Sequence, residues 1–138
     1  MKKFRKIFIA GGAGYVGSRL VPILLKKDYQ ITVYDIMYFG SSFLPSHKNL
    51  KIIEGDIRDK HKLEKSCLNH EVFLDLACIS NDTSFALDEK LSTSINLEAF
   101  EPMVVAAKKS GIKRFIYAST SSVYGISKVK DVKEDHEL

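Results

Sequence analysis

The sequence has few of the residues that mark disulfide-bonded, metal-binding or membrane-spanning proteins. Its 138 residues include two cysteines, three prolines and no tryptophan. Cys67 and Cys78 form no C-x-x-C pair, and the four histidines share no metal-ligand spacing. We therefore expect reduced thiols, a cytoplasmic location and no metal site. No apolar run approaches the roughly 20 residues of a membrane span, so we expect no membrane partner.

The charged residues are scattered along the chain. The net charge is +4, from 21 basic and 17 acidic residues. Basic and aromatic residues do not alternate in the stripe that is typical of nucleic-acid-binding proteins, so we expect no nucleic-acid partner. An apolar fraction of 45% and a charged fraction of 28% are typical of a globular domain. The length predicts one domain over residues 1–138 with a single core.

A strand, a glycine-rich turn and a helix are predicted near the start of the chain. The apolar run Ile7-Phe8-Ile9 predicts a strand buried on both faces, and residues 11–17 follow with the spacing G-x-x-G-x-x-G. In order, the three glycines are expected to allow a tight turn, to let backbone approach a phosphate, and to permit close helix–strand packing. Free N–H groups at a helix N-terminus bind anions, which predicts a cradle for a dinucleotide pyrophosphate. The candidate cofactor-binding residues here are Gly11, Gly14, Tyr15, Val16 and Gly17.

The helix after this turn is predicted to be amphipathic. Pro22 removes one of its intrahelical hydrogen bonds and is expected to destabilise it locally. Its expected core-facing stripe contains Val16, Leu20, Ile23 and Leu24.

The second predicted strand, residues 30–34, ends at an acidic residue. Asp35 follows Gly17 by 18 residues, close to the offset of about 20 at which a carboxylate binds the adenosine ribose. The same carboxylate repels a 2′-phosphate, so the pattern favours NAD over NADP. Ile36, beside it, is a further candidate. The alternative is an aspartate that only caps a turn.

Three more strand patterns, at residues 50–54, 72–76 and 114–118, alternate with helical ones. A long helix is predicted from about Leu87 to Lys109, ending at Ser110-Gly111. Strands that alternate with helices pair in parallel through right-handed crossovers. We predict an α/β doubly wound parallel sheet of the Rossmann type, with strand order 3-2-1-4-5.

Candidate ligands follow these strands at the carboxyl edge of the sheet, where open α/β sheets bind ligands. Asp56 is expected to accept a hydrogen bond from the adenine amine while Ile57 packs on the ring, although a plain turn is equally compatible. Leu76 and Ala77 would let the backbone pass close to the cofactor. Residues 118–122 bring a row of hydroxyls to the same edge, where a merely solvated loop is the alternative.

Together these motifs resemble the extended short-chain dehydrogenase/reductases, specifically the NAD-dependent nucleotide-sugar epimerases and dehydratases. The resemblance implies NAD as cofactor, a nucleotide sugar as substrate, and a hydride that leaves a sugar carbon and later returns. It also implies a Ser/Thr, Tyr and Lys group in which the lysine lowers the tyrosine pKa. Thr120 matches the Ser/Thr and is the predicted catalytic residue, and Asn96 and Ala118 join the cofactor-binding candidates. The motifs that carry the resemblance are residues 11–17, Asp35, 55–59, 76–77, 94–96 and 117–125.

Tyr124 and Lys128 satisfy the pattern Y-x-x-x-K. The resemblance assigns Tyr124 to the loop after the fifth strand, however, and Gly125 disfavours a helix there. It places the catalytic pair beyond Leu138, so we expect an incomplete cofactor domain, truncated relative to the family, without a substrate domain and inactive alone.

Two other functions stay open on the sequence. One is a non-catalytic NAD-binding module or partner subunit, and the other is a compact reductase that uses Tyr124 and Lys128. In a truncated sheet the fifth strand would be an exposed edge, which favours association with another chain. The resemblance also allows a homodimer through the long helix.

Overall fold

Five parallel strands form one sheet in the computed structural model, which describes residues 4–125, 131–133 and 135. The strand order is β3-β2-β1-β4-β5, and every neighbouring pair is parallel. The predicted doubly wound fold and its strand order are therefore confirmed. The strands are β1 (Lys6–Ala10), β2 (Gln30–Asp35), β3 (Leu50–Glu54), β4 (Val72–Asp75) and β5 (Arg114–Tyr117).

The described residues contain five α-helices and two shorter helical turns. They are α1 (Tyr15–Lys26), α2 (Lys60–Cys67), α3 (Asp82–Leu87), α4 (Glu89–Thr93) and α5 (Phe100–Lys109), with a π-helical turn over Ser94–Glu98 and a 3-10 turn over Ser121–Tyr124.

The helix predicted from about Leu87 to Lys109 is present as a helical stretch from Glu89 to Lys109, but it consists of α4, the π-helical turn and α5 instead of one regular α-helix. Asp88 has φ −151° and ψ 88°, which ends α3, and its side chain accepts a hydrogen bond from the Leu91 N–H. An aspartate in this role starts a new helix because its carboxylate satisfies one of the free N–H groups of the first turn.

The face of α1 that meets the core agrees with the prediction at Leu24, which packs against the core, and differs from it elsewhere. Gly17, Val21 and Leu25 are buried, whereas Val16 and Ile23 are more than half exposed. Residues four apart share a helix face, so a helix whose Gly17 lies against the turn buries the positions four and eight residues later. The helix continues through Pro22.

Side chains of β1, β2 and β4 alternate between two apolar clusters, one on each face of the sheet. Phe8, Tyr34 and Phe73 pack on the side of α2 and α5. Ile9 and Val33 pack on the side of α1. The sheet is thus buried on both faces around β1, and its carboxyl edge is held in a fixed arrangement.

Both cysteines are free; Cys67 is buried and Cys78 is exposed. Within the described residues, no group of three or more His, Cys, Asp or Glu could hold a metal ion. No helix in that part of the chain is long and apolar enough to cross a membrane.

Candidate functional site

Gly11 starts the glycine turn in a conformation that L side chains rarely adopt, with φ +73°. A Cβ at this position would lie 2.5 Å from the Ala77 backbone nitrogen. The Gly11 N–H donates to the Tyr34 carbonyl oxygen at 2.9 Å. The turn therefore requires glycine here, both for its backbone angle and for its contact with the segment that follows β4.

Gly17 allows α1 to lie directly on the same turn. A Cβ on Gly17 would be 2.1 Å from the Gly12 carbonyl oxygen, so the close contact is between helix and turn rather than between helix and strand as predicted. Gly12, which the spacing argument left without a role, is also constrained, because its Cβ would lie 2.9 Å from the Val33 side chain.

The N-terminus of α1 has no cap from its own side chains. Gly14 is its N-cap with no side-chain hydrogen bond, and the first turn contains no acidic residue. A Cβ on Gly14 would meet only the Gly11 carbonyl oxygen, at 3.4 Å, and Tyr15 and Val16 are 92% and 57% exposed. The first N–H groups of a helix have no intrahelical partner and carry the positive end of the helix dipole. These residues fit a pyrophosphate such as that of NAD.

The Asp35 carboxylate connects this turn to the loop after β2. Its Oδ2 accepts from the Ala13 N–H and its Oδ1 from the Met37 N–H, both at 2.9 Å. A carboxylate oxygen can accept two hydrogen bonds, so each retains capacity for a ribose hydroxyl. Ile36, beside it, is 53% exposed. Ribose binding by Asp35 stays a prediction.

Asp56 lies after β3 and forms an ion pair with Arg58. Both carboxylate oxygens accept from this guanidinium, which holds the pKa of Asp56 below its usual range. The Arg58 Nη1 also donates to the Ser94 hydroxyl at 3.1 Å. Ile57 is only 6% exposed, so its side chain offers little surface to a ring. Contact of either residue with adenine stays a prediction.

Tyr34 holds this turn through a hydrogen bond from its side chain, a role that the sequence did not suggest. Its hydroxyl donates to the Asp56 carbonyl oxygen at 2.9 Å, and the side chain is fully buried. Burial, with the charges of Asp59 and Asp56, raises the pKa of Tyr34 to about 12. A Cβ on Gly55 would lie 2.4 Å from the tyrosine ring, so Gly55 is the residue that makes room for it.

Asn96 fixes the loop after β4 through both atoms of its amide. Its Oδ1 accepts from the Ile79 N–H and its Nδ2 donates to the Ile79 carbonyl oxygen, both at 2.9 Å. Its predicted contact with the cofactor is untested. The observed bonds make Asn96 a positioning residue for the segment that includes Leu76 and Ala77.

Replacing Asn96 with alanine should lower the free energy of unfolding by about 1–3 kcal/mol, because the partly buried N–H and C=O of Ile79 lose their partner. Urea denaturation measures this change. Asn49→Ala is the matched control, since the Asn49 side chain makes no hydrogen bond within the described residues; its effect should stay within about 0.5 kcal/mol. Equal losses in the two variants would contradict the positioning role.

Asp75 is the one buried carboxyl group among the described residues, at 2% exposed. It ends β4 at the carboxyl edge, in register with Ala10 and Tyr117. The Asp75 Oδ1 accepts from the Ala77 N–H at 3.1 Å, and burial raises its pKa to about 6. The sequence predicts Asp75 only as part of the strand at residues 72–76; its burial depends on contacts across the sheet, which no local pattern reports.

The hydroxyl-rich segment after β5 lies at the same edge. The Ala118 N–H donates to the Asp75 carbonyl oxygen at 3.2 Å. The Thr120 hydroxyl accepts from the Ser122 N–H at 3.1 Å, at the start of the 3-10 turn that ends at Tyr124. The catalytic role of Thr120 stays a prediction, and Lys128 lies outside the described residues.

Two curated relatives have sequences similar to this chain. It is 34% identical over 127 residues to the UDP-N-acetyl-alpha-D-glucosaminuronate decarboxylase of Bacillus cytotoxicus, covering 91% of this chain and 39% of that protein. It is 30% identical over 122 residues to a 3 beta-hydroxysteroid dehydrogenase/Delta 5→4-isomerase of Mycobacterium tuberculosis, covering 86% of this chain and 32% of that protein. The chain therefore spans less than half the length of these relatives.

A solved structure shows the same fold over the whole chain. The UDP-N-acetylglucosamine 4-epimerase of Methanobrevibacter ruminantium superposes with a TM-score of 0.86 at 28% identity, covering 100% of this chain and 44% of the epimerase. The sequence model of the "NAD dependent epimerase/dehydratase family" matches residues 7–138. The family resemblance is thereby confirmed, and NAD is confirmed as the cofactor of the family. This chain belongs to the NAD-dependent epimerase/dehydratase family.

Proposed function

We propose that this chain is the NAD-binding part of an enzyme that epimerises or dehydrates a nucleotide sugar. The observation that carries the cofactor half of the proposal is the N-terminus of α1, which has no acidic residue in its first turn and no side-chain cap. When bound, NAD would supply a hydride acceptor. The residues that would hold it are the glycine turn for the pyrophosphate and Asp35 for the adenosine ribose.

The sugar half of the proposal has support from the relatives. A UDP-sugar decarboxylase and a UDP-sugar epimerase are both similar to the chain. A steroid dehydrogenase is similar to the chain as well. We base the substrate class on the two sugar enzymes, because the decarboxylase has the higher identity and the epimerase covers the whole chain. In this proposal Thr120 holds the reacting sugar oxygen, at the carboxyl end of β5 beside Ala118.

Because the chain spans less than half of its relatives, we propose that residues 1–138 bind the cofactor without turnover. The alternative is a non-catalytic NAD-binding module that recruits a partner. That alternative is favoured by β5, which pairs only with β4 in the described residues and leaves Ile116 and Tyr117 43% and 50% exposed. A cytoplasmic location is part of the proposal and depends on the cysteine pattern.

Isothermal titration should give NAD an affinity at least roughly tenfold above that of NADP, because the Asp35 carboxylate would face the 2′-phosphate at short range. Asp35→Asn removes the charge and should reduce this preference to within about threefold. Glu101→Gln, an exposed charge on α5, is the control and should keep the wild-type preference. Equal affinity of the wild-type chain for both dinucleotides would overturn the role of Asp35.

Activity measurements with UDP-sugars distinguish the catalytic alternatives. Turnover by the 138-residue chain that is lost in Tyr124→Phe would support a compact reductase or epimerase using Tyr124. NAD binding without turnover would support the cofactor-domain proposal.

A further inference from the structure

A groove of about 410 Å³ lies at the amino edge of the sheet, where β1, β2 and β3 begin. This edge is opposite the one that carries the glycine turn and Asp35. We name it the amino-edge groove; its lining includes Lys6, Gln30, Thr32, Lys48, Lys51 and His70.

The strand register places two lysines on either side of a polar strip. Lys6 of β1 pairs with Gln30 of β2, and Thr32 of β2 pairs with Lys51 of β3. Paired residues of neighbouring strands, and residues two apart on one strand, project from the same face. Lys6 and Lys51 therefore flank Gln30 and Thr32, on strands that lie about 10 Å apart.

The positive charge of the groove is not neutralised from within. Among the described residues, no carboxylate lines it, and none of Lys6, Lys48 and Lys51 forms an ion pair. Glu71 lies outside the groove; its carboxylate accepts from the Arg5 and Lys6 N–H groups and pairs with Lys113. These two hydrogen bonds, with the charges of Lys113 and Lys6, lower the pKa of Glu71. A concave surface lined by one sign of charge attracts the opposite ion.

His70 forms a neutral wall of the groove and is hydrogen-bonded through both ring nitrogens. Its Nδ1 lies 3.2 and 3.0 Å from the carbonyl oxygens of Cys67 and Leu68, so this nitrogen is the donor. Its Nε2 accepts from the Thr32 hydroxyl at 2.8 Å. Burial, with the nearby ammonium groups of Lys6 and Lys51, lowers the pKa of His70. Lys6, Lys51 and His70 line the same groove.

We propose that the amino-edge groove binds a small anion with two phosphoryl groups, at a site separate from the cofactor site. Lys6 and Lys51 would contact phosphoryl groups from opposite sides, with Lys48 at the rim. The side-chain amides of Gln30 and Asn49 would donate hydrogen bonds to further phosphoryl oxygens. Phosphate oxygens accept hydrogen bonds, and ammonium and amide N–H groups donate them.

Pyrophosphate, titrated by calorimetry into the whole chain in magnesium-free buffer with saturating NAD, tests the proposal. We expect one saturable site, about fivefold or more tighter for pyrophosphate than for orthophosphate, and weaker at high salt. Lys48→Gln combined with Lys51→Gln should weaken binding about fivefold or more. The control combines Lys90→Gln with Lys108→Gln, which lowers the net charge by the same amount outside the groove. Its affinity for pyrophosphate should change less than about twofold.

Backbone and side-chain amide shifts in NMR spectra locate the bound anion. Shifts at Gln30, Asn49 and Asn69 would support the groove, even if the chain fails to bind NAD. Shifts confined to residues 11–17, equal weakening by the two double variants, or no saturable binding would each overturn the proposal. So would an oligonucleotide that binds this surface more tightly than pyrophosphate.

Discussion

Gly17→Ala should destabilise the chain by about 3 kcal/mol or more. A methyl group at this position would lie 2.1 Å from the Gly12 carbonyl oxygen, and a backbone atom cannot move aside as a flexible side chain can. Overpacking of this kind costs about 1–3 kcal/mol and sometimes more. In an unconstrained helix the same substitution would stabilise by up to about 1 kcal/mol. The contact with the turn therefore reverses the sign.

Gly14→Ala is the matched control in the same turn. Gly14 has φ −76° and ψ −173°, a conformation open to any residue, and its added methyl would meet only the Gly11 carbonyl oxygen at 3.4 Å. We expect a change in unfolding free energy within about 1 kcal/mol. The methyl would occupy the space next to the free N–H groups of α1, so NAD affinity should fall about tenfold or more.

Urea denaturation and calorimetric titration of both variants separate the two roles. Gly17→Ala with wild-type stability would mean that α1 can move off the turn at little cost. Gly14→Ala with wild-type NAD affinity would mean that the pyrophosphate does not approach this N-terminus. The expected pair of results, a loss of stability in Gly17→Ala and a loss of NAD affinity in Gly14→Ala, would assign Gly17 to the fold and Gly14 to ligand binding.

The sequence predicted the sheet because each strand has a local signal. Runs such as Ile7-Phe8-Ile9 are apolar on both faces, and their alternation with helical patterns leaves few topologies. The glycine spacing identified the turn because backbone angle and close approach both require glycine there.

The sequence did not predict contacts that join distant segments. The rotation of α1 depends on Gly17 touching Gly12, which no apolar periodicity reports. The bond between Tyr34 and Asp56 joins β2 to the turn after β3, and the bonds of Asn96 join a π-helical turn to Ile79. No local sequence pattern marks these polar groups as hydrogen-bond partners. Their roles come from tertiary structure.

Asp75→Asn should stabilise the chain at neutral and alkaline pH. Burial raises the pKa of Asp75 from 3.8 to about 6, so the folded state binds this proton more tightly than the unfolded state does. Stability from this group is therefore fully present below about pH 4 and is lost as the pH rises through 6. The shift of about two units corresponds to about 3 kcal/mol of lost stability above pH 7.

The asparagine variant keeps an oxygen that can accept from the Ala77 N–H but carries no charge. Its gain in unfolding free energy over the wild-type chain should fall from about 3 kcal/mol at pH 8 to below about 1 kcal/mol at pH 4. Urea denaturation across this range measures the difference. Glu98→Gln, an exposed charge on the π-helical turn, should give a difference near zero at every pH.

A destabilised Asp75→Asn variant at pH 8 would show that the ionised carboxylate is needed in the fold. The predicted gain in unfolding free energy would instead show that the ionised Asp75 carboxylate lowers stability, at the edge of the sheet where the candidate cofactor site lies. The Asp75 carboxylate holds the Ala77 N–H, and the Ala77 backbone is what a side chain at Gly11 would strike. Buried charges that lower stability are concentrated at functional sites. Because Asp75→Asn can keep the bond to Ala77, a variant that gains stability and loses NAD affinity would assign the effect on the cofactor to the charge of Asp75.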